Sequence, residues 1–118
     1  MKKIVVPIFD RTVFISVDEE ESASWLKRHD GDPEEVSNTR GISLAIADNQ
    51  GKLWRFIGVF DNDLGTIAHE CVHMAWRVLD HSDIRIDIDN QEALAYTTAW
   101  LLEQFLKAYP IKKGRSKK

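Results

Sequence analysis

The stretch Thr66-Ile67-Ala68-His69-Glu70-Cys71-Val72-His73-Met74-Ala75-Trp76 decides how the rest of the chain is read. It contains the pattern H-E-x-x-H, as His69-Glu70-Cys71-Val72-His73. On a helix, residues four apart stack one turn above each other on one face. His69 and His73 therefore offer two imidazoles to a single point, as a zinc ion requires. Glu70 sits about 100° around the helix from His69. A carboxylate there lies beside the metal, where a general base for water belongs. The competing reading is a surface helix that happens to carry two histidines. With four His and eight Glu in 118 residues, the pattern arises by accident in roughly one shuffled sequence in a hundred, so context must decide.

A catalytic zinc site holds three protein ligands and one open position. Eighteen residues separate His73 from Glu92, which opens a second apolar-periodic segment, Asn90-Gln91-Glu92-Ala93-Leu94-Ala95-Tyr96. Asp89-x-x-Glu92 is also a capping-box pattern, so Glu92 has a purely structural alternative. An H-E-x-x-H helix followed at this distance by a helix bearing Glu resembles the gluzincin group of zinc metallopeptidases, over about residues 40–107. The wording A-H-E-C-V-H, then E-A-L-A-Y, is also similar to small metallopeptidases encoded by phages and prophages.

The resemblance implies a zincin-like α+β fold and one Zn²⁺ held by His69, His73 and Glu92. It implies that Glu70 activates a zinc-bound water to hydrolyse a peptide or protein substrate. The sequence departs from the family at Tyr96. Thermolysin-like enzymes carry an Asp four residues past the ligand glutamate, and it orients the first histidine. Tyr96 shares the helical face of Glu92. Either it bonds a ligand histidine or the oxyanion, or it wedges between helices with its hydroxyl at the cleft rim. The family's further histidine or tyrosine donor has no matching position here. A catalytically inactive binding protein on the same scaffold, such as a phage product that captures a host factor, is the alternative function. The metzincin pattern fails, because Trp76 and Leu79 stand where it needs Gly and His.

Composition sets the frame. A chain of 118 residues with 43% hydrophobic and 30% charged residues fits one soluble domain with a modest core. No apolar run approaches membrane-spanning length. The N-terminal run Ile4-Val5-Val6-Pro7-Ile8-Phe9 is broken by Asp10 and Arg11, too soon for a signal peptide. Cys71 is alone, so no internal disulfide forms and a cytoplasmic setting is expected. Net charge is −3, but five of the sixteen basic residues fall in the last seven positions. An acidic body argues against nucleic acid as partner, except through that basic tail. The domain is expected over 1–109, with a basic, disordered tail over 110–118.

Alternation predicts strands in residues 3–9 and 13–17, joined at Asp10-Arg11 as a hairpin, with Pro7 favouring an edge. Asp18 caps a helix with Glu21 at the capping-box position, and Trp25 and Leu26 face its core. His29, before the breaker Asp30-Gly31-Asp32-Pro33, reads as solvated, and one helical turn fits 33–36. Ile42, Leu44 and Ile46 alternate as a half-buried strand. Leu53–Phe60 is apolar on both faces apart from Arg55, as in a strand that is central or covered by helices. Asp61-Asn62-Asp63 caps the metal helix, expected over about Leu64–Leu79. Leu64, Ile67, Ala68, Cys71, Val72, Ala75, Val78 and Leu79 form its apolar stripe, with His69, Glu70 and His73 off its centre. Cys71 reads as core packing, and Trp76 as either a packing wall or a substrate platform. His81 reads as solvated. Asp83–Asp89 alternates as a short strand or extended connection with three isoleucines inward, before a last helix to Ala108. The expected fold is α+β: a small, mostly antiparallel sheet of 4–5 strands packed on about three helices.

Overall fold

The computed structural model describes residues 1–111. It is an α+β fold in three layers. The strands are β1 (Lys2–Val6), β2 (Arg11–Ser16), β3 (Gly41–Ala47) and β4 (Leu53–Val59). The helices are α1 (Glu19–Arg28), α2 (Leu64–His81) and α3 (Gln91–Ala108), with a 3₁₀ turn at Pro33–Val36. The sheet order is β1-β2-β4-β3. The β1/β2 and β3/β4 pairs are antiparallel, whereas β2 and β4 run parallel, Phe14 opposite Phe56 and Ser16 opposite Gly58. Two of the three pairings are antiparallel, as expected of a mostly antiparallel sheet, and one is parallel. The parallel pair arises because the chain leaves β2 through α1 and re-enters at the far edge as β3 before β4 fills the centre.

Alternation along the strands feeds both faces. Val13, Ile15, Ile57 and Val59 meet Ile67, Cys71, Met74, Ala75, Val78, Leu101 and Phe105, the core under α2 and α3. Phe14 and Phe56 point the other way, toward Trp25, Leu26, Val36 and Leu44 under α1. Helices on both faces explain why β4 is apolar on both sides.

Local details differ from expectation where a hydrogen bond decides. The β1/β2 turn takes up Pro7–Asp10, and Arg11 already belongs to β2. Pro7 has no N–H with which to extend the ladder. At α1, Asp18 caps Glu21 N as expected at 2.9 Å, but the capping box closes only halfway. Buried Ser16 takes the second place: its Oγ accepts from Asp18 N and donates to Glu21. His29 is not solvated. Its Nδ1 lies 2.7 Å from Trp25 O, and its ring packs 4.1 Å from Trp54 and 4.4 Å from Trp25, centroid to centroid.

The 82–90 connection is not a strand, and Ile88 stands 81% exposed instead of inward. Among the described residues no strand partners it. Asn90 caps α3 without a side-chain bond, so the Asp89/Glu92 capping box does not form either. Among the described residues, no helix is long and apolar enough to cross a membrane. The expected basic tail lies, from residue 112 onward, outside the described residues.

Candidate metal centre and its cleft

The centre is built on α2. Asp63 starts the helix by accepting from Thr66 N at 3.1 Å. Asp61 adds a bond from the Thr66 hydroxyl at 2.7 Å and one from Arg40 at 3.0 Å. The buried stripe is rotated from the expected one. Met74 and Glu70 join it, while Leu64 and Val72 are exposed. The reason is that α2 lies against both sheet and α3, so its buried face is centred on Ile67, Cys71, Met74 and Val78. Cys71 is a fully buried core residue, as read from the sequence, and burial raises its thiol pKa to about 12 with Glu70 adding to the rise.

The rotation moves Glu70 inward while leaving the histidines outward. His69 and His73 are both exposed, and their Nε2 atoms are 3.2 Å apart. Two nitrogens bound to one zinc at about 2.05 Å and the tetrahedral angle stand about 3.3 Å apart. The spacing of the pair therefore fits a shared divalent ion. The rings meet at 70°, with centroids 4.8 Å apart.

Glu70 is only 8% exposed. Its side chain lies against Gly41, the first residue of β3. Burial pushes its carboxyl above the ordinary range, opposed by the charges of His69 and His73. It lines, with His69, a cleft of about 500 Å³ bordered by Asn38, Thr39, Arg40, Asp63 and Thr66. The sequence reading missed this border. Its only signal was the short polar run ahead of β3, read as a loop, and Asp61–Asp63, read only as a helix cap.

The remaining site expectations are not gathered here. Glu92 is exposed in the first turn of α3, and Tyr96 is 73% exposed. Among the described residues, no three His, Cys, Asp or Glu side chains group closely enough to hold a metal. His73 lies eight residues before the end of α2, about 12 Å of helical rise. Glu92 follows directly on the 82–90 connection, past that end. Trp76 is 50% exposed on the same outward face as His73, so it is not a packing wall. His81 is half-buried and accepts from Arg55 Nε at 2.9 Å through Nδ1.

No family model matches this chain, and no curated protein or solved structure matches it.

Proposed function

We propose that the chain is a minimal zinc-dependent metallopeptidase on a zincin-like scaffold. The observation that carries this reading is the His69/His73 nitrogen pair, 3.2 Å apart, beside a buried carboxylate that opens onto a cleft. His69 and His73 would hold the ion, with Glu92 the proposed third ligand. When bound, the ion supplies Lewis-acid polarisation of a carbonyl and acidifies water toward a pKa of about 7. Glu70 takes the proton of the attacking water and delivers it to the leaving amine. Burial suits it to both steps, because a carboxylate with a raised pKa is a better base and a usable acid. Among the described residues no strand pairs with the outer edge of β3, where Ser43 O accepts from Arg77 at 3.4 Å, so an extended peptide could lie along that edge beside the cleft. Tyr96 is kept as a candidate oxyanion donor, reached if α3 closes on substrate.

A Glu70→Gln variant tests the reading. It should retain zinc and lose peptide-library cleavage by about 100-fold or more. Undiminished cleavage would remove Glu70 from the mechanism.

The exposure of Glu92 and Tyr96 favours a second reading, a binding protein that uses the zincin-like scaffold without cutting. Zinc uptake with no cleavage of any library peptide, by either the natural chain or Glu70→Gln, would select it.

A further inference from the structure

The outer edge of β3 and the outward face of α2 run side by side, and one side chain bridges them. Arg77 Nη2 donates to Ser43 O at 3.4 Å. The strand register explains why that carbonyl is there to be met. Phe60 N donates to Arg40 O, and bonded and non-bonded pairs alternate along an antiparallel ladder. Ile42 and Leu44 therefore turn their backbone groups toward β4, while Gly41, Ser43 and Ala45 turn theirs to the outer edge. At this edge Gly41 O accepts from Thr39 Oγ1 at 2.9 Å. The bond to Ser43 O is the weaker of the two, being longer than the usual range of about 2.7–3.2 Å.

Arg77 is exposed and, among the described residues, makes no ion pair. It sits one turn beyond His73, about 6 Å along the helix. His73, Trp76, Arg77, Asp80 and His81 border one hollow of about 400 Å³ on α2. Asp80 is the acid of that hollow, and it lies outside ion-pair distance of Arg77. Trp76, half exposed, adds an apolar wall. The histidine pair, an aromatic surface and an unpaired guanidinium thus follow one another along the helix that flanks the edge strand.

That order matters for a peptide lying antiparallel along β3. Its residue opposite Ser43 donates its own N–H to Ser43 O and turns its side chain to the same face of the sheet as Ser43. That face is the one α2 covers, because a Cβ at Gly41, on the same side of the strand, would meet Thr66 and Glu70. The incoming N–H displaces Arg77 from its long bond, and the freed guanidinium lies beside the incoming side chain. We propose that this groove selects extended peptides carrying an acidic side chain opposite Ser43, with Arg77 as the residue that reads it. A carboxylate there gives the guanidinium fork a paired, charged acceptor, whereas Lys or Arg meets a like charge. The inference rests on the peptide lying along β3, as in the function proposed above, and adds the substrate class. The acid falls about two residues from the peptide position beside Glu70.

The test is fluorescence anisotropy of labelled short peptide pools, random except for one fixed central Glu or one fixed central Lys. They are titrated with the zinc-loaded full chain carrying Glu70→Gln, which blocks cutting. The Glu pool should bind at least about tenfold more tightly than the Lys pool. Arg77→Glu, at an exposed position, should keep the circular dichroism of the parent and reverse that order. Arg77→Lys, which keeps the charge but loses the fork, should keep the order with a smaller ratio. Equal binding of the two pools, binding of neither, or an order unchanged by Arg77→Glu would overturn the proposal. Cleavage of the same pools by the natural chain separates it from the peptidase reading. Cutting with no preference for the Glu pool leaves the peptidase standing and removes the selection by Arg77. Selective binding with no cutting removes the peptidase and leaves the acid-reading groove.

Discussion

Gly41 lies so close to Glu70 that a Cβ added to it would stand 3.2 Å from the glutamate Cγ and 2.6 Å from Thr66 Cγ2. The first residue of β3 is thus the wall against which the start of α2 is set. A side chain there must push α2 outward, and with it the carboxylate that opens onto the cleft. Gly41→Ala should destabilise the fold by about 1–3 kcal/mol, the usual range for overpacking a tight contact. Urea unfolding followed by circular dichroism measures this directly. A variant as stable as the parent would mean that α2 yields there without strain.

The third metal position gives a sharper measurement. If Glu92 joins His69 and His73 when an ion arrives, the first turn of α3 must move toward α2. The irregular 82–90 connection is the segment able to absorb that motion, having no ladder to break. Glu92→Ala should then weaken zinc binding by more than about 100-fold, beyond what losing an outer partner of a ligand costs. His69→Ala and His73→Ala should do at least as much. Zinc affinity unchanged in Glu92→Ala would assign the third place to another group.

How much of this was legible follows from which residues carry local signals. The β1/β2 hairpin, the alternating β3 and the capped α2 announced themselves through alternation and an Asx cap. The central place of β4 was legible because both its faces are apolar. What failed was whatever depends on partners far away in the chain. The Asp83–Asp89 alternation is the pattern of a strand, yet no strand lies beside it, and Ile88 faces solvent. The inward turn of Glu70 depends on α2 touching both the sheet and α3, which helical periodicity alone does not encode. The pairing of Arg55 with His81 crosses 26 residues, and its one clue was a lone charge in an apolar strand.

That pairing has a pH signature. His81 is held below its ordinary pKa by burial and by Arg55, with Arg11 and Arg77 adding to the effect and Asp80 opposing it. A histidine with a depressed folded pKa binds its proton more readily when the chain is unfolded. Its contribution is therefore complete above the unfolded value of about 6.5 and falls away as pH drops from there to the folded value. Unfolding midpoints measured between about pH 8 and 5 should decline across that window in the parent. The part of the decline due to this residue should vanish in His81→Gln, which can still accept from Arg55. An identical slope in both proteins would show that His81 does not titrate with folding.

Ser16 joins three parts of the chain through one hydroxyl. It is fully buried, donates to Glu21 Oε1 at 2.7 Å and accepts from Asp18 N at 3.1 Å. Glu21 also receives the Met1 amine, which with the Ser16 bond holds its carboxyl below the ordinary range. Ser16→Ala leaves Asp18 N without that acceptor and removes one support of the Glu21 charge. A cost of about 1–3 kcal/mol is expected from the unsatisfied buried group. The sign of the pH effect is opposite in origin to that of His81. A depressed carboxylate stabilises fully above its unfolded pKa and loses that stabilisation as pH falls through the folded one. The parent should therefore lose stability as pH falls below the ordinary glutamate range, and Ser16→Ala should lose less over the same acid range. Urea titrations at neutral pH and in the acid range give both quantities. A variant that is weaker at neutral pH yet keeps the full acid dependence would leave the amine of Met1 as the sole support of the Glu21 charge.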